Sequence, residues 1–405
     1  MNMKTMNRKC PFTLILCVLL LLLGPLPSLR AENSSINTHA MAASLIDVES
    51  GRILYSSRGD ERMRIASLTK IMTAIVAIEN GDLNDVVKVG KNAYAKEGSS
   101  LFLKLGEEMT LETMLYGLML RSGNDAASAI AEHIGGSEEG FIYLMNAKAQ
   151  LLNLTNTHFA NPHGLDAEGH YSSANDLAVL TAYALHNPVF KEIVKTQVKT
   201  ADNPYEKWDY KWSNKNKMLR MYEGADGVKT GYTKKALRCL VSSATRNGQQ
   251  LVAVTLNDGD DWNDHASLLN FGFNHYPLKT LIERGDKVSG YDLVTGKDFS
   301  YPFSEGEQER FVTKMVLQSG ADSSSTKVRV ADFGLRGALV LELGGREIGR
   351  VPLYSPDALP PEQPAYGKRL STAGAAAYPA ATWLEALGSA LRALFQIMGG
   401  EAPHD

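Results

Sequence analysis

Short runs typical of β-strands lie on either side of a long helical region, and this order most constrains how the chain can fold. Residues 41–48 and 52–55 are apolar runs around a Glu-Ser-Gly turn signal. Apolar residues then recur at helical spacing, and the strand-like period returns at 227–232, 237–244 and 251–256. We therefore predict one α/β (α+β) domain, with a sheet flanked by helices that uses both its first and its last strands and ends near residue 276.

The region after this domain differs in character. Short β-rich runs at 311–317, 327–330, 338–343 and 347–353, separated by turn-like segments, predict a small all-β domain over 277–355. Residues 356–378 are rich in Pro and Ala without periodicity and are expected to be a linker. Residues 379–399 have one apolar face, from Trp383 to Met398, which predicts an amphipathic helix lying on a membrane surface.

The N-terminus predicts an exported protein. A basic start is followed by an apolar run over 12–23 and by helix-breaking Gly and Pro residues, a pattern typical of a signal peptide over residues 1–31. The alternative is an uncleaved N-terminal anchor. The expected location is the outer face of a bacterial cytoplasmic membrane or the cell wall space. The mature chain, 32–276 and beyond, would keep a single cysteine, Cys239, so it could form no intramolecular disulfide.

Charge and composition exclude several function classes. The chain of 405 residues has a formal net charge of −3, and removal of residues 1–31 would take away four basic groups and no acids, giving −7. A protein that binds nucleic acid through its phosphates would normally be basic, so no nucleic-acid partner is expected. No Gly-rich phosphate loop is found in the sequence, and no cofactor is expected.

The chemically most informative segment opens the first strong helical pattern. Ser67 and Lys70 are three residues apart, which places them on one face of a helix. Serine is a weak nucleophile at neutral pH and needs a base to accept its proton. Lys70 could be that base only if burial and nearby positive charge keep it neutral. Alone, the pair is also compatible with an N-cap serine beside a solvated lysine.

Two further motifs strengthen this interpretation. Ser122-Gly123-Asn124 follows a predicted helix, and Lys229-Thr230-Gly231 lies in a predicted strand, where Gly231 would let a substrate backbone approach and Lys229 would offer a positive charge. The set Ser-x-x-Lys, Ser-x-Asn and Lys-Thr-Gly is that of penicillin-binding proteins and class A β-lactamases.

The chain resembles the low-molecular-mass penicillin-binding proteins that act as serine-type D-alanyl-D-alanine carboxypeptidases. The resemblance covers about residues 40–270 and implies a penicillin-binding/β-lactamase-like transpeptidase domain. The matching segments are Ile65–Ala74, Arg121–Ala127, Asn161–Leu165, Ser173–Ala178 and Asp226–Thr233. Two positions depart from the family pattern: Leu237-Arg238 beside the cleft, and Lys215, where several members carry an arginine near the substrate carboxylate.

The resemblance also implies roles for the motif residues. Ser67 would attack the carbonyl of the penultimate D-alanine of a peptidoglycan stem peptide, Lys70 would take its proton, and Ser122 would relay a proton to the leaving amine. A β-lactam antibiotic would acylate the same serine and so inhibit the enzyme.

Substrate binding follows from the same resemblance. Asn124 would hydrogen-bond the peptide backbone, and Lys229 with Thr230 would bind the terminal carboxylate. The backbone N–H groups of Ser67 and Tyr232 would form the oxyanion hole.

Three other functions remain as alternatives. A class A β-lactamase would need a Glu-x-x-Leu-Asn loop, and Glu168 has the wrong neighbours for it. A D,D-endopeptidase would use the same residues, and a catalytically silent wall-binding protein could keep the fold.

Several polar residues have simpler interpretations than catalysis. The spacing of His158, His163 and His170 matches no ligand pair, so no metal site is predicted. Cys239 lies in an apolar strand and is expected to serve packing, a reactive thiol being the alternative. Asp226 is expected to cap a turn, or else to orient Lys229.

Overall fold

The computed structural model describes residues 36–317 and 334–361. The predicted signal peptide, the strand expected at 327–330, most of the linker and the amphipathic helix at 379–399 lie outside the described residues. Within the described part of the chain, no helix is long and apolar enough to cross a membrane.

A five-stranded antiparallel sheet forms the centre of the fold, in the order β2-β1-β9-β8-β7. The prediction that the first and last strands share one sheet is confirmed, because Ala42 of β1 pairs with Leu256 of β9. The Asn247-Gly248 turn that joins β8 to β9 has positive φ at both residues, as a tight hairpin of this hand requires. The strands of this sheet are β1 (Ala42–Asp47), β2 (Ile53–Ser57), β7 (Ala225–Thr233), β8 (Leu237–Arg246) and β9 (Gln249–Leu256).

Helices cover both faces of this sheet, as predicted. Alternate residues of β1 face opposite ways: Ile46 joins the main apolar core with the helices, while Leu45 lies against Gly272 on the other face. The helices are α1 (Lys70–Asn80), α2 (Leu111–Tyr116), α3 (Asn124–Gly135), α4 (Glu138–Leu151), α5 (Ala174–Leu185), α6 (Pro188–Lys195), α7 (Met218–Met221) and α8 (Asp261–His275).

Helix α1 is deeply buried near the sheet. Its residues from Lys70 to Ala77 are all buried, and it packs against α3, α4, α5 and α6. A burial of this kind favours an apolar helix, and the single charged side chain inside it must find polar partners.

The sequence shows one helical pattern from Leu111 to Met119, but the structure divides this segment between two elements. Thr110 caps α2 through its hydroxyl, which accepts a bond from the Thr113 N–H. The helix then widens into a π-type turn, Gly117–Arg121, which ends at Ser122 in the left-handed conformation. Leu101 packs against Gly117, where a Cβ would lie 2.3 Å from its side chain, so a larger residue there would displace Leu101. The turn aims Ser122 out of the helix.

The described residues after 276 are β-rich. Strands β13 to β15 match three of the expected runs and form a four-stranded sheet with β11, while β10 pairs with β12. Arg52 of the first hairpin reaches this region: its guanidinium makes two bonds to Glu307, of 2.8 and 2.9 Å, and stacks on Tyr276 and Tyr301. These strands are β10 (Leu278–Ile282), β11 (Val294–Thr295), β12 (Phe299–Pro302), β13 (Phe311–Leu317), β14 (Leu335–Leu343) and β15 (Arg346–Tyr354).

Four further short strands pair two by two. They form two-stranded sheets outside the central one, β3 with β4 and β5 with β6. Their bounds are β3 (Val86–Lys88), β4 (Glu108–Thr110), β5 (Val198–Ala201) and β6 (Tyr210–Ser213).

Candidate active site

Ser67 lies in a 3-10 turn, Ala66–Thr69, that runs directly into α1. Ala66 has φ of +48°, a conformation that is costly for an alanine and therefore needs support from its surroundings. The support is visible: Thr69 Oγ1 donates a 2.8 Å bond to the Ala66 carbonyl. The turn presents the Ser67 hydroxyl to Lys70, with Nζ 3.1 Å from Oγ. The pair predicted from spacing is thus in contact.

Lys70 is fully buried and has two further partners. Its Nζ donates to Asn124 Oδ1 at 2.7 Å and to the His163 carbonyl at 2.6 Å. Burial, and then the positive charges of Lys229 and Lys215, hold the pKa of Lys70 well below its usual value. A neutral amine has two N–H groups and one lone pair. Both N–H groups are used by the two carbonyl-type oxygens, so the lone pair is left for the Ser67 hydroxyl.

The second motif is positioned by the end of the π-type turn and the start of α3. Ser122 has φ of +66°, and its Oγ is buried without a hydrogen-bond partner among the described residues. Asn124 is held from three sides, because its Nδ2 donates to Glu97 O at 2.6 Å and its backbone N–H to Ser99 O at 2.7 Å, in addition to the Lys70 bond. Asn124 therefore connects the general-base candidate to the loop before the motif.

Lys229 of β7 is also buried, but its surroundings differ from those of Lys70. Its Nζ donates to the Thr230 carbonyl at 2.7 Å. Burial, with a contribution from the Lys215 charge, lowers the pKa of Lys229 to about 7. Burial and Arg121 lower the pKa of Lys215, whose Nζ is 3.2 Å from Ser99 Oγ. Three lysines therefore share one region, and the positive charges of Lys215 and Lys229 beside the neutral Lys70 attract an anion to it.

Gly231 lies against the turn that carries Ser67. A Cβ at this position would lie 3.2 Å from both the Ile65 carbonyl and the Ser67 backbone nitrogen. The missing side chain therefore lets β7 approach the turn of the nucleophile itself. Tyr232, the next residue, is 63% exposed at the edge of the sheet.

The segment Asn161–Leu165, one of the segments that carry the family resemblance, supports this turn through contacts that the sequence reasoning did not predict. The His163 carbonyl holds Lys70, and the Pro162 carbonyl accepts a 2.6 Å bond from Thr73 Oγ1. Gly164, with φ of +87°, lies against Ala66, where a Cβ would be 2.0 Å from its carbonyl oxygen. The Asn-Pro and His-Gly pairs in this segment are turn signals, but they do not indicate which carbonyl groups meet Lys70 and Thr73.

The sequence reasoning also did not predict the structural role of His170. Its Nδ1 accepts a 3.0 Å bond from the Ala160 N–H, so in the neutral ring Nε2 carries the proton, and this Nε2 lies 2.8 Å from Thr69 Oγ1. Burial lowers the pKa of His170 to about 4 and that of His163 to about 3. Among the described residues, no group of three His, Cys, Asp or Glu side chains could hold a metal ion.

Two polar residues near the cleft, Asp226 and Cys239, have contacts that indicate structural roles rather than catalytic ones. Asp226 accepts hydrogen bonds from Ser243, Thr245 and Gln250, which ties β7 to the neighbouring strands. Cys239 is buried, and its burial raises the pKa of the thiol to about 12, so it is inert as a nucleophile at neutral pH.

Arg238, one of the two departures noted in the sequence, has a clear partner. It forms an ion pair with Asp261 at the start of α8 and pairs with Tyr232 across the β7–β8 ladder. The ion pair between Arg238 and Asp261 connects the exposed end of the sheet beside the cleft to α8.

Comparison with known proteins agrees with this geometry. Residues 29–260 match the family model described as D-alanyl-D-alanine carboxypeptidase. The chain is 35% identical over 331 residues to the D-alanyl-D-alanine carboxypeptidase DacF of Bacillus subtilis, covering 78% of this chain and 83% of that protein. It is 37% identical over 328 residues to DacC of Escherichia coli, covering 74% and 80%.

The fold is similar to a solved structure as well. Penicillin binding protein 5 from Haemophilus influenzae superposes with a TM-score of 0.63 and 28% identity, covering 78% of this chain and 96% of that one. The expected fold class is thereby confirmed. By sequence and by structure, the chain belongs to the D-alanyl-D-alanine carboxypeptidase family of serine hydrolases.

Proposed function

We propose that this protein removes the terminal D-alanine from peptidoglycan stem pentapeptides through an acyl-enzyme on Ser67. The observation that carries the proposal is the environment of Lys70, whose buried amine has both N–H groups bonded to oxygens and Ser67 Oγ 3.1 Å away. A base with a lowered pKa beside a serine hydroxyl is what nucleophilic catalysis by serine requires.

Acylation begins when Ser67 Oγ attacks the carbonyl carbon of the penultimate D-alanine and its proton passes to Lys70 Nζ. The new C–O bond leaves a negative charge on the former carbonyl oxygen, which the backbone N–H groups of Ser67 and Tyr232 stabilise. The carbon–nitrogen bond then breaks, and the leaving amine receives a proton relayed by Ser122, whose Oγ has no competing partner among the described residues. Water hydrolyses the ester and regenerates Ser67.

Recognition of a free C-terminus follows from the lysines. The terminal carboxylate binds to Lys229 and Thr230, and the positive charge of Lys215 adds to the attraction. A carboxylate beside Lys229 favours its charged form, so substrate binding raises the pKa of Lys229 above its value of about 7 in the free enzyme. Asn124, with one N–H still available, bonds to the peptide backbone.

The reaction is tested by mass spectrometry after incubation with a stem pentapeptide, where loss of one alanine is expected. Labelling with a fluorescent penicillin identifies the nucleophile: it should vanish in Ser67→Ala and persist in Ser57→Ala, a serine of β2 outside the site. Labelling of the Ser67→Ala protein would contradict the assignment.

The domain division and the location of the protein are also proposed. Residues 1–31 act as a signal peptide, 32–276 form the catalytic domain, 277–355 a β-rich domain, 356–378 a linker and 379–399 a helix on the membrane surface. The separate sheets after residue 276 support the division, and the basic and apolar pattern of the first 31 residues supports export. Sedimentation of the mature protein with liposomes tests whether residues 379–399 bind a membrane surface. This proposal is wrong if the protein stays in the supernatant.

A further inference from the structure

An open cavity of about 440 Å³ lies between the loop that precedes the second motif and the segment that leads into β6. Residues 101–107 form one wall, and residues 203–211 form the other. The sequence analysis assigned no function to either segment. A cavity of this size is large enough for a small ligand of one or two rings.

This cavity adjoins the catalytic residues through Leu101. Leu101 lines the cavity, and its side chain packs against Gly123, where a Cβ would lie 2.7 Å away. Asp125, in the first turn of α3, accepts bonds from the backbone N–H groups of Leu101 and Leu103 at 2.9 and 3.2 Å. The second motif and the cavity wall are therefore built as one unit.

Aromatic side chains stand exposed at the cavity. Phe102 is 87% exposed, Trp208 67% and Tyr205 42%. Phe102 also has φ of +64°, an unusual conformation for a bulky residue, which the two Asp125 bonds on either side of it impose. Aromatic rings held in water around a concavity mark a binding site more often than a random surface does.

The five charged residues of the cavity, two lysines and three carboxylates, leave a net charge of only −1, and several of them are engaged by other groups of the lining. Lys104 Nζ is 2.6 Å from Glu206 Oε1, and the Glu107 carboxylate accepts bonds from the Tyr210 hydroxyl and from the backbone N–H of Lys104. The remaining lining charges, Asp209 and Lys211, are of opposite sign. A neutral ligand with apolar ring faces and many hydroxyl or amide groups fits this surface better than a charged peptide does.

We propose that this cavity is a subsite for the N-acetylated sugar strand to which the stem peptide is attached. The inference rests on the proposed function, because the sugar reaches the cavity as part of the same substrate. Three residues separate the penultimate D-alanine from the sugar, and in extended form they span about 10 Å. The aromatic faces stack on the sugar rings, and the polar side chains bond to hydroxyl and acetamido groups.

The test compares two substrates in Trp208→Ala and Phe102→Ala: a free stem pentapeptide and the same pentapeptide on its N-acetylglucosaminyl-N-acetylmuramyl disaccharide. For the disaccharide pentapeptide, kcat/KM should fall about tenfold, mainly through KM, while turnover of the free pentapeptide changes less than twofold. Tyr143→Ala is the matched control, because Tyr143 is an aromatic residue of α4, 73% exposed and not part of the cavity.

A direct binding measurement separates this inference from the proposed function. Titration with an N-acetylglucosamine tetramer should change the tryptophan fluorescence of the parent protein and change it far less in Trp208→Ala. Equal losses on both substrates, a loss on the free peptide alone, or no loss at all would each overturn the sugar subsite. If the parent protein releases no D-alanine from either substrate, the proposed function fails, while the titration still reports on the cavity.

Discussion

Lys70 and Lys229 are both buried and both have lowered pKa values, yet their contacts suit them for opposite tasks. Lys70 has three partners within 3.1 Å, one of them the Ser67 hydroxyl, and an amine so arranged can accept a proton only from that hydroxyl. Lys229 donates to a single carbonyl of its own strand. A lysine with unused N–H groups can bind an incoming carboxylate.

Replacement of Lys70 by arginine should abolish most acylation. Guanidinium stays protonated at any pH the protein tolerates, so it cannot accept the Ser67 proton. We expect the rate of fluorescent penicillin labelling in Lys70→Arg to fall about 10³-fold, within the range for loss of a general base. Labelling near the parent rate would show that another group removes the proton.

Lys229 should set the alkaline limb of the pH profile. Its pKa of about 7 in the free enzyme means that the charged form, which binds the carboxylate, is lost as pH rises through 7. We expect kcat/KM for a pentapeptide to fall above this pH, and the fall to move to higher pH in Lys229→Arg, whose guanidinium keeps its charge. An alkaline limb unchanged in Lys229→Arg would assign it to another group.

At the scale of elements, the close approach of β7 to the 3-10 turn decides how accurately Ser67 is held. A Cβ in Gly231→Ala would meet the Ser67 nitrogen and the Ile65 carbonyl at 3.2 Å, tighter than ordinary contact, so the strand or the turn must move by a few tenths of an ångström. We expect acylation to slow by about tenfold, because small displacements at a reacting centre are costly. Stopped-flow labelling with a chromogenic β-lactam measures it.

Gly259→Ala is the control for this prediction. A Cβ at Gly259 would meet nothing within 4 Å, and its φ is ordinary. The acylation rate of Gly259→Ala should therefore equal that of the parent protein. Equal slowing in both variants would mean that the contact with the Ser67 turn does not matter.

Much of the arrangement could be predicted from the sequence, because it depends on local spacing. The Ser67–Lys70 contact follows from the helical period, and the pairing of β1 with β9 from the order of the elements. The contacts of the Pro162 and His163 carbonyls could not be predicted, since every residue has a carbonyl and only the folded chain selects which of them meets Lys70 or Thr73. The packing of Leu101 against Gly117 and Gly123 also joins residues that are not neighbours in the sequence, so spacing does not predict it.

At the scale of the whole molecule, buried histidines should make stability depend on pH. The pKa values of His163 and His265 are lowered to about 3 and that of His170 to about 4, from an unfolded value near 6.5, chiefly by burial. The unfolded chain therefore binds more protons between pH 6.5 and these values, so stability falls as pH falls through that window, by up to about 1.4 kcal/mol per pH unit for each histidine. Asp258, with its pKa raised to about 6, opposes this trend below pH 6.

Urea unfolding at pH 7.5 and pH 5.5 measures this dependence in the parent and in His265→Gln. Glutamine can keep bonds to Ser242 and Thr255 but does not titrate, so the stability difference between the two pH values should shrink. His186→Gln is the control with the opposite sign, because the contact with Glu49 raises the pKa of His186 and its loss should widen the difference. If the stability difference between pH 7.5 and pH 5.5 is the same in His265→Gln as in the parent, titration of His265 does not contribute to the pH dependence.

The pairing of Ala42 with Leu256 also determines when the fold can be completed. Most of the helices, from α1 to α6, are made of neighbouring residues and can form as soon as they emerge, whereas β1 has to wait for a strand that is synthesised near the end of the domain. Until β9 is available, β1 has one unpaired edge, and its free backbone N–H and C=O groups can pair with other chains and cause aggregation. The sheet therefore cannot be completed before β9 is available, and a chain truncated before residue 256 should be a preferred target for proteases.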